Sequence, residues 1–188
     1  MARKLLLLTL LLTVATGLMH ASAINGSVPF SGLGASQDKA DLSLSTMLWD
    51  TNSITSGVGL GDFFLIPINT DFGPFSLNLL TIGGGGGFLI TNATYGTFTA
   101  SFGQIITRSK DFLDVYLEGM YAPNPGMPGK DPTETSLRLA FTQSGQSLSV
   151  SGTMNSPPAV IPEPGTLSLL GSGVLSLAAV LRRKLKVS

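Results

Sequence analysis

The sequence predicts an all-β fold: an antiparallel β-sandwich of about 8–9 strands, jelly-roll or Ig-like, flanked by an N-terminal signal helix and a C-terminal transmembrane helix. Three observations predict it. Apolar and polar residues alternate with period two through the body, the mark of half-buried strands. Gly, Pro, Asn and Asp punctuate the apolar runs at short intervals. No stretch of the body carries a convincing 3.6-residue pattern, so helix there is limited to a turn or two. A closed barrel is the main alternative.

The 188 residues divide into four parts: 1–23, a signal peptide; 24–156, an all-β secreted domain; 157–165, a Pro-rich linker; and 166–188, a transmembrane tail with a basic end. Arg3 and Lys4 form the basic start of the signal peptide, Leu5 to Leu18 its apolar core. Ala21 and Ala23 supply the small residues of an A-x-A cleavage site, making Ile24 the mature start.

Strands are expected in order along the body. Ser27 to Leu33 is interrupted by Pro29, so it reads as an edge if it is a strand. Leu42, Leu44, Thr46 and Leu48 line one face of a second, ending at Trp49 and Asp50. Asp62 to Ile68 carries four consecutive apolar residues, Phe63 to Ile66, and is broken by Pro67. Phe75, Leu77 and Leu79 alternate in a fourth. Phe88 to Thr91 and Gly96 to Phe102 give two more, with Phe98 and Phe102 on one face. In Phe112 to Tyr121, Leu113, Val115, Leu117 and Gly119 oppose Phe112, Asp114, Tyr116 and Glu118. Ser136 to Thr142 and Ser147 to Thr153 turn Leu137, Leu139, Phe141, Leu148 and Val150 inward. Loops are expected at Asp50 to Gly61 and at Ala122 to Thr133, and an extended linker at Asn155 to Ala159.

Composition removes several chemistries. There is no cysteine, which excludes disulfides, thiol catalysis and Cys-ligated metals. The one histidine, His20, lies in the signal segment, so the mature chain has no histidine base, triad or metal ligand. The two ends hold six of the 11 basic residues and one of the 11 acidic ones. The body keeps five basic and ten acidic residues, a net charge of −5. That sign argues against nucleic acid as a partner.

What remains is thin. Gly83 to Gly87 lacks the Gly-Lys-Ser/Thr ending of a phosphate loop and reads as a flexible connection or a glycine-lined strand edge. Asp114, Tyr116 and Glu118 share a strand face, which reads first as a solvated face. If concave, that face binds sugar, or cleaves it with two opposed carboxylates. Trp49 reads as core, with sugar stacking as the sharper alternative. Asp38 with Asp41, and Asp50 with Asn52, fall short of a calcium loop, so no metal and no cofactor is expected.

The last stretch is the most specific. Pro162, Glu163 and Pro164 are held extended, because proline fixes φ and restricts the residue before it. Thr166 to Leu181 carries no charge and, as a helix, spans roughly 24 Å at about 1.5 Å per residue. That is short for a bilayer core of about 30 Å. Arg182, Arg183 and Lys184 form a basic stop that keeps the body on the far side of the membrane. Pro-Glu-Pro, a short Leu/Gly/Ala helix and an Arg-rich end, in this order, resemble the PEP-CTERM sorting domain of Gram-negative bacterial surface proteins. The resemblance covers residues 161 to 184. It implies recognition by an exosortase, removal of the tail, and export linked to extracellular polysaccharide. Pro162, Glu163 and Pro164 match its recognition motif, and Arg182 and Arg183 its basic end.

Overall fold

The computed structural model describes residues 21–158. The expected signal helix before residue 21 and the expected transmembrane helix after 165 lie outside them, as does the Pro-Glu-Pro motif. Among the described residues, no helix is long and apolar enough to cross a membrane.

Thirteen strands occur among the described residues. The first seven are β1 (Ser22–Ala23), β2 (Gly26–Gly32), β3 (Ser36–Gln37), β4 (Met47–Asp50), β5 (Ser53–Thr55), β6 (Leu60–Gly61) and β7 (Phe75–Asn78). The rest are β8 (Leu89–Asn92), β9 (Gly96–Arg108), β10 (Phe112–Pro123), β11 (Lys130–Asp131), β12 (Thr133–Ser144) and β13 (Ser147–Ser156). The body is all-β, as expected.

Four long strands form an antiparallel meander, with short turns from β9 to β10 and from β12 to β13 and a longer connection, residues 124–132, from β10 to β12. β10 lies between β9 and β12, and β13 follows β12. The full order is β5-β2-β13-β12-β10-β9-β8, with β6 beside β2, an eight-stranded sheet. Its two edges, β5 and β8, are not left open. Phe72 N–H donates to Ser53 O at 2.7 Å, and Ser53 N–H to Gly73 O at 2.8 Å. On the other side Thr91 N–H donates to Phe72 O at 2.9 Å, and Asn92 Nδ2 to Asp71 O at 2.7 Å. Asp71 to Gly73 therefore straps one edge to the other, and the sheet is nearly a barrel. Closure removes the free edges that invite aggregation.

A second sheet, β3-β4-β7, covers the interior. From β7, the Phe75 ring lies 4.9 Å from Phe88 and 6.3 Å from Phe141 of β12. Phe72 meets Phe30 edge-on at 5.2 Å, and Phe63 meets Tyr121 at 5.4 Å. These rings belong to one continuous core. Truncating any of its buried phenylalanines to alanine is expected to cost about 3–5 kcal/mol.

The structure departs from the strand-by-strand reading at five places, each for a physical reason. β2 is an interior strand despite Pro29, with β13 on one side and β5 and β6 on the other. The Pro29 carbonyl accepts from Ser56, so its nitrogen faces that same side. There β5 pairs from Phe30 onward and β6 only up to Ser27, so the missing N–H falls in the gap between them.

Asp62 to Leu65 is a 3-10 turn, not a strand, burying Phe63 and Ile66 and exposing Phe64 and Leu65. Burial at i and i+3 is the three-residue period of that helix. Leu42 to Thr46 is a loop: Leu42 is buried but Leu44 is exposed, and the strand starts only at Met47. Leu79 leaves β7 and starts a broken 3-10 segment running to Gly87.

Phe98 and Phe102 point to opposite faces. The β9–β10 register jumps from Ala100 to Phe102, leaving Ser101 as an extra residue. One inserted residue reverses side-chain parity. Phe98 and Ala100 therefore point inward, as does Gly103 beyond the bulge, while Phe102 is 42% exposed.

Two expected loops also contribute pairing. Asp50 to Gly61 supplies β5 and β6, and Ala122 to Thr133 supplies β11 and the buried Met127.

Candidate functional site

The body begins and ends at one place. Ser22 and Ala23 are exposed, whereas Ile24 is 1% exposed in the core. Its N–H donates to Thr133 Oγ1 at 2.9 Å. The buried Ser156 hydroxyl, at the end of β13, reaches the Ile24 carbonyl at 3.1 Å. Pro157 follows, exposed. The segment that precedes the body and the one that follows it thus attach side by side.

The residues singled out on β10 are engaged in two pairs, Asp114 with Arg138 and Tyr116 with Glu118. Asp114 is 5% exposed and accepts from Arg138 Nη2 at 2.6 Å and from Nε at 3.0 Å. Tyr116 and Arg138 are cross-strand partners, so the guanidinium lies over this face. The Tyr116 hydroxyl donates to Glu118 Oε1 at 2.9 Å. Burial first, and then that hydrogen bond, push this hydroxyl above the ordinary tyrosine range. The hydrogen bonds and charge of Asp114 hold the Arg138 guanidinium still more firmly protonated. Tyr116 is only 4% exposed, so its ring offers no open face for stacking. Its neighbours on the strand have the polarity of a solvated face, but Asp114 is covered.

Trp49 stands apart, on β4 of the small sheet. Leu48 and Asp50 turn inward, and Trp49 turns out, 37% exposed. It is not core. Ser36 of β3 and Ser76 of β7 are its cross-strand partners.

The acidic loop residues serve the backbone. Asp38 accepts from Thr46 N–H at 2.8 Å, Thr46 Oγ1 at 2.7 Å and Met47 N–H at 3.0 Å. Partial desolvation pushes its carboxyl up, but these hydrogen bonds outweigh it and hold the pKa at about 2. Asp41 accepts from Ser43 N–H and Oγ and from Leu44 N–H. Asp50 is buried and accepts from Gly34 N–H and Ser53 Oγ. Among the described residues, no group of three or more acidic or histidine side chains converges as a metal site.

The glycine run is not a phosphate loop either. Gly85 and Gly86 are buried, with φ of 81° and 61°. A Cβ at Gly85 would lie 2.5 Å from Ala100 O, and one at Gly86 2.7 Å from Asn78 O. The run packs its backbone onto β9 and β7.

One cluster was not legible in the sequence. Gln143 Nε2 donates to Ala40 O at 2.7 Å and Gly145 O at 2.9 Å, which fixes its Oε1 as an acceptor. Gln37 Nε2 donates to that oxygen at 2.9 Å. The Gln37 Oε1 is then left buried with no hydrogen-bond partner. These amides line a concavity of about 360 Å³ with Ser36, Lys39 and Gln146. No motif announces it, because the two glutamines lie 106 positions apart.

For the tail, comparison with known families decides. The family described as PEP-CTERM protein-sorting motif matches residues 160–184. The chain carries a PEP-CTERM protein-sorting motif. The PEP-CTERM match takes in Pro162, Glu163 and Pro164 as well as Arg182, Arg183 and Lys184. It does not extend into the β body. No curated protein and no solved structure matched this chain.

Proposed function

We propose that this is an exported bacterial surface or matrix protein, sorted through its PEP-CTERM tail by an exosortase, with a non-enzymatic β body that associates with extracellular polysaccharide. The match at residues 160–184 carries the sorting half of this reading. The PEP-CTERM segment anchors the chain transiently in the inner membrane, body outward, until the tail is removed. The signal peptide is cut after Ala23. The step from exposed Ala23 to buried Ile24 supports that boundary. Because Ile24 and Ser156 are joined, the points where the two transport segments attach lie at one pole of the body. The two sheets enclosing one core form a β-sandwich with its larger layer almost closed on itself.

The non-enzymatic reading rests on the side chains present. The mature chain has no histidine or cysteine, and Asp114 is engaged by Arg138. A carbohydrate-binding body is the second reading, favoured by the outward position of Trp49.

Intact-mass analysis of protein recovered outside the cell tests the sorting claim. The expected species starts at Ile24 and lacks the residues after the Pro-Glu-Pro motif. Replacing Pro162, Glu163 and Pro164 together by alanine should leave a longer species in the membrane. A product unchanged in size and place would overturn it.

A further inference from the structure

We infer that the apolar lobe at residues 60–65 is a lipid-contacting surface, which seats the body on the membrane while the tail still anchors it. This rests on the membrane-anchoring reading of the tail. Leu60 is 67% exposed, Phe64 70% and Leu65 48%. Phe64 is the most exposed aromatic side chain among the described residues. Large apolar side chains gathered at a surface mark a place of contact.

The lobe is held out by its own packing. Phe63 and Ile66 are buried, so the 3-10 turn that joins them directs Phe64 and Leu65 outward. Asp62 pins that turn to the start of the body. Its N–H donates to the Asn25 carbonyl at 2.8 Å, and its carboxylate accepts from the Asn25 N–H at 2.8 Å. Leu60 and Gly61 pair with Ser27 and Gly26. Asn25 follows Ile24, whose carbonyl accepts from Ser156. The lobe therefore grows from the pole at which both transport segments attach.

The chain beyond that pole decides the occupant. Residues 157–165 separate the body from the uncharged run Thr166 to Leu181. Fully extended, that linker reaches about 30 Å. With the run in the bilayer, the pole stays within this distance of the lipid, and tethering raises the effective concentration of that surface. Charge sets the mode of contact. Lys130, the cation beside the lobe, is committed to the Asp62 carboxylate at 2.8 Å, and the body carries a net charge of −5. Anionic headgroups thus gain nothing from charge here. Contact comes from Leu60, Phe64 and Leu65 entering the headgroup–acyl boundary, as the apolar face of an interfacial segment does.

The chain has no cysteine, so a single introduced one carries a nitroxide label at a known place. The full chain is reconstituted in vesicles of phosphatidylethanolamine and phosphatidylglycerol, labelled in turn at Phe64→Cys, Leu175→Cys and Gln146→Cys. Leu175 lies in the uncharged run and reports whether the tail is in the bilayer. Gln146 is exposed at the far end of β13, a strand of 10 residues spanning roughly 33 Å, and reports water. Labels at 64 and 175 should be relaxed more by oxygen, which concentrates in lipid, than by a water-soluble nickel complex. The label at 146 should show the reverse. Adding Leu60→Ser and Leu65→Ser to Phe64→Cys should move the label at 64 into water, while the same two changes leave the label at 175 in lipid. A label at 64 in water while 175 is in lipid would overturn the proposal. So would dipolar broadening between labels at 64, which would show a second copy on the lobe. A label at 175 in water would instead remove the anchoring reading, and the proposal with it, so the two failures are told apart.

Discussion

The hydroxyl of Ser156 donates to the carbonyl of Ile24 at 3.1 Å, across a separation of 132 residues. The same hydroxyl lies 3.2 Å from Glu134 O and accepts from Thr135 Oγ1 at 3.1 Å. Removing it takes this donor from the buried Ile24 carbonyl, while the Thr135 hydroxyl keeps Thr133 O at 3.0 Å. Ser156→Ala should therefore cost about 1–3 kcal/mol, read from urea and thermal unfolding. A loss below a few tenths of a kcal/mol would mean that the ends of the body are not held together as described.

The glycine run offers a contrast within one segment. Gly85→Ala places a Cβ 2.5 Å from Ala100 O at a φ of 81°, and should destabilise by about 1–3 kcal/mol. Gly83→Ala meets nothing within 4 Å and should be neutral or slightly stabilising, within about 1 kcal/mol. Equal effects in the two variants would refute the packed-backbone account of Gly85.

The Asp114–Arg138 contact should be energetically coupled. Asp114 is buried whereas the Arg138 side chain is 62% exposed, so water screens the pair in part. Asp114→Asn and Arg138→Met, with the double variant, should give a coupling of about 0.5–3 kcal/mol. Additive losses would show that the two side chains do not depend on one another. Neither variant should create or abolish hydrolysis of any polysaccharide, because the carboxylate is already committed.

Asp38 predicts an acid limb. Its folded pKa is about 2, against an ordinary value of 3.8. A depressed folded value contributes stability that is fully present above 3.8 and is lost as pH falls towards 2. Urea midpoints measured from pH 5 downward should fall less steeply in Asp38→Asn than in the parent. Parallel curves would remove Asp38 as a source of the slope.

What could be read along the chain was what local composition fixes. The sorting motif is linear, so Pro162 to Pro164, the uncharged run from Thr166 to Leu181 and Arg182 to Lys184 were legible without any contact. So were β10, β12 and β13, whose alternation places Leu113, Val115, Leu137, Leu139 and Val150 in the core, although Asp114 and Tyr116 on the other face of β10 are covered as well. Tertiary structure decided the rest, because it depends on partners far away in sequence. Pro29 sits inside the sheet only because β5 and β6 leave a gap at its nitrogen. Ser101 turns Phe102 outward only through its register with β10. Asp71 to Gly73 close the sheet because residues 53 and 91 come to either side of them. Gln37 and Gln143 meet only when β3 folds against the β12–β13 turn. Hydrophobic period selects a strand and its face, but closure, bulges and side-chain clusters arise from long-range pairing that no local pattern encodes.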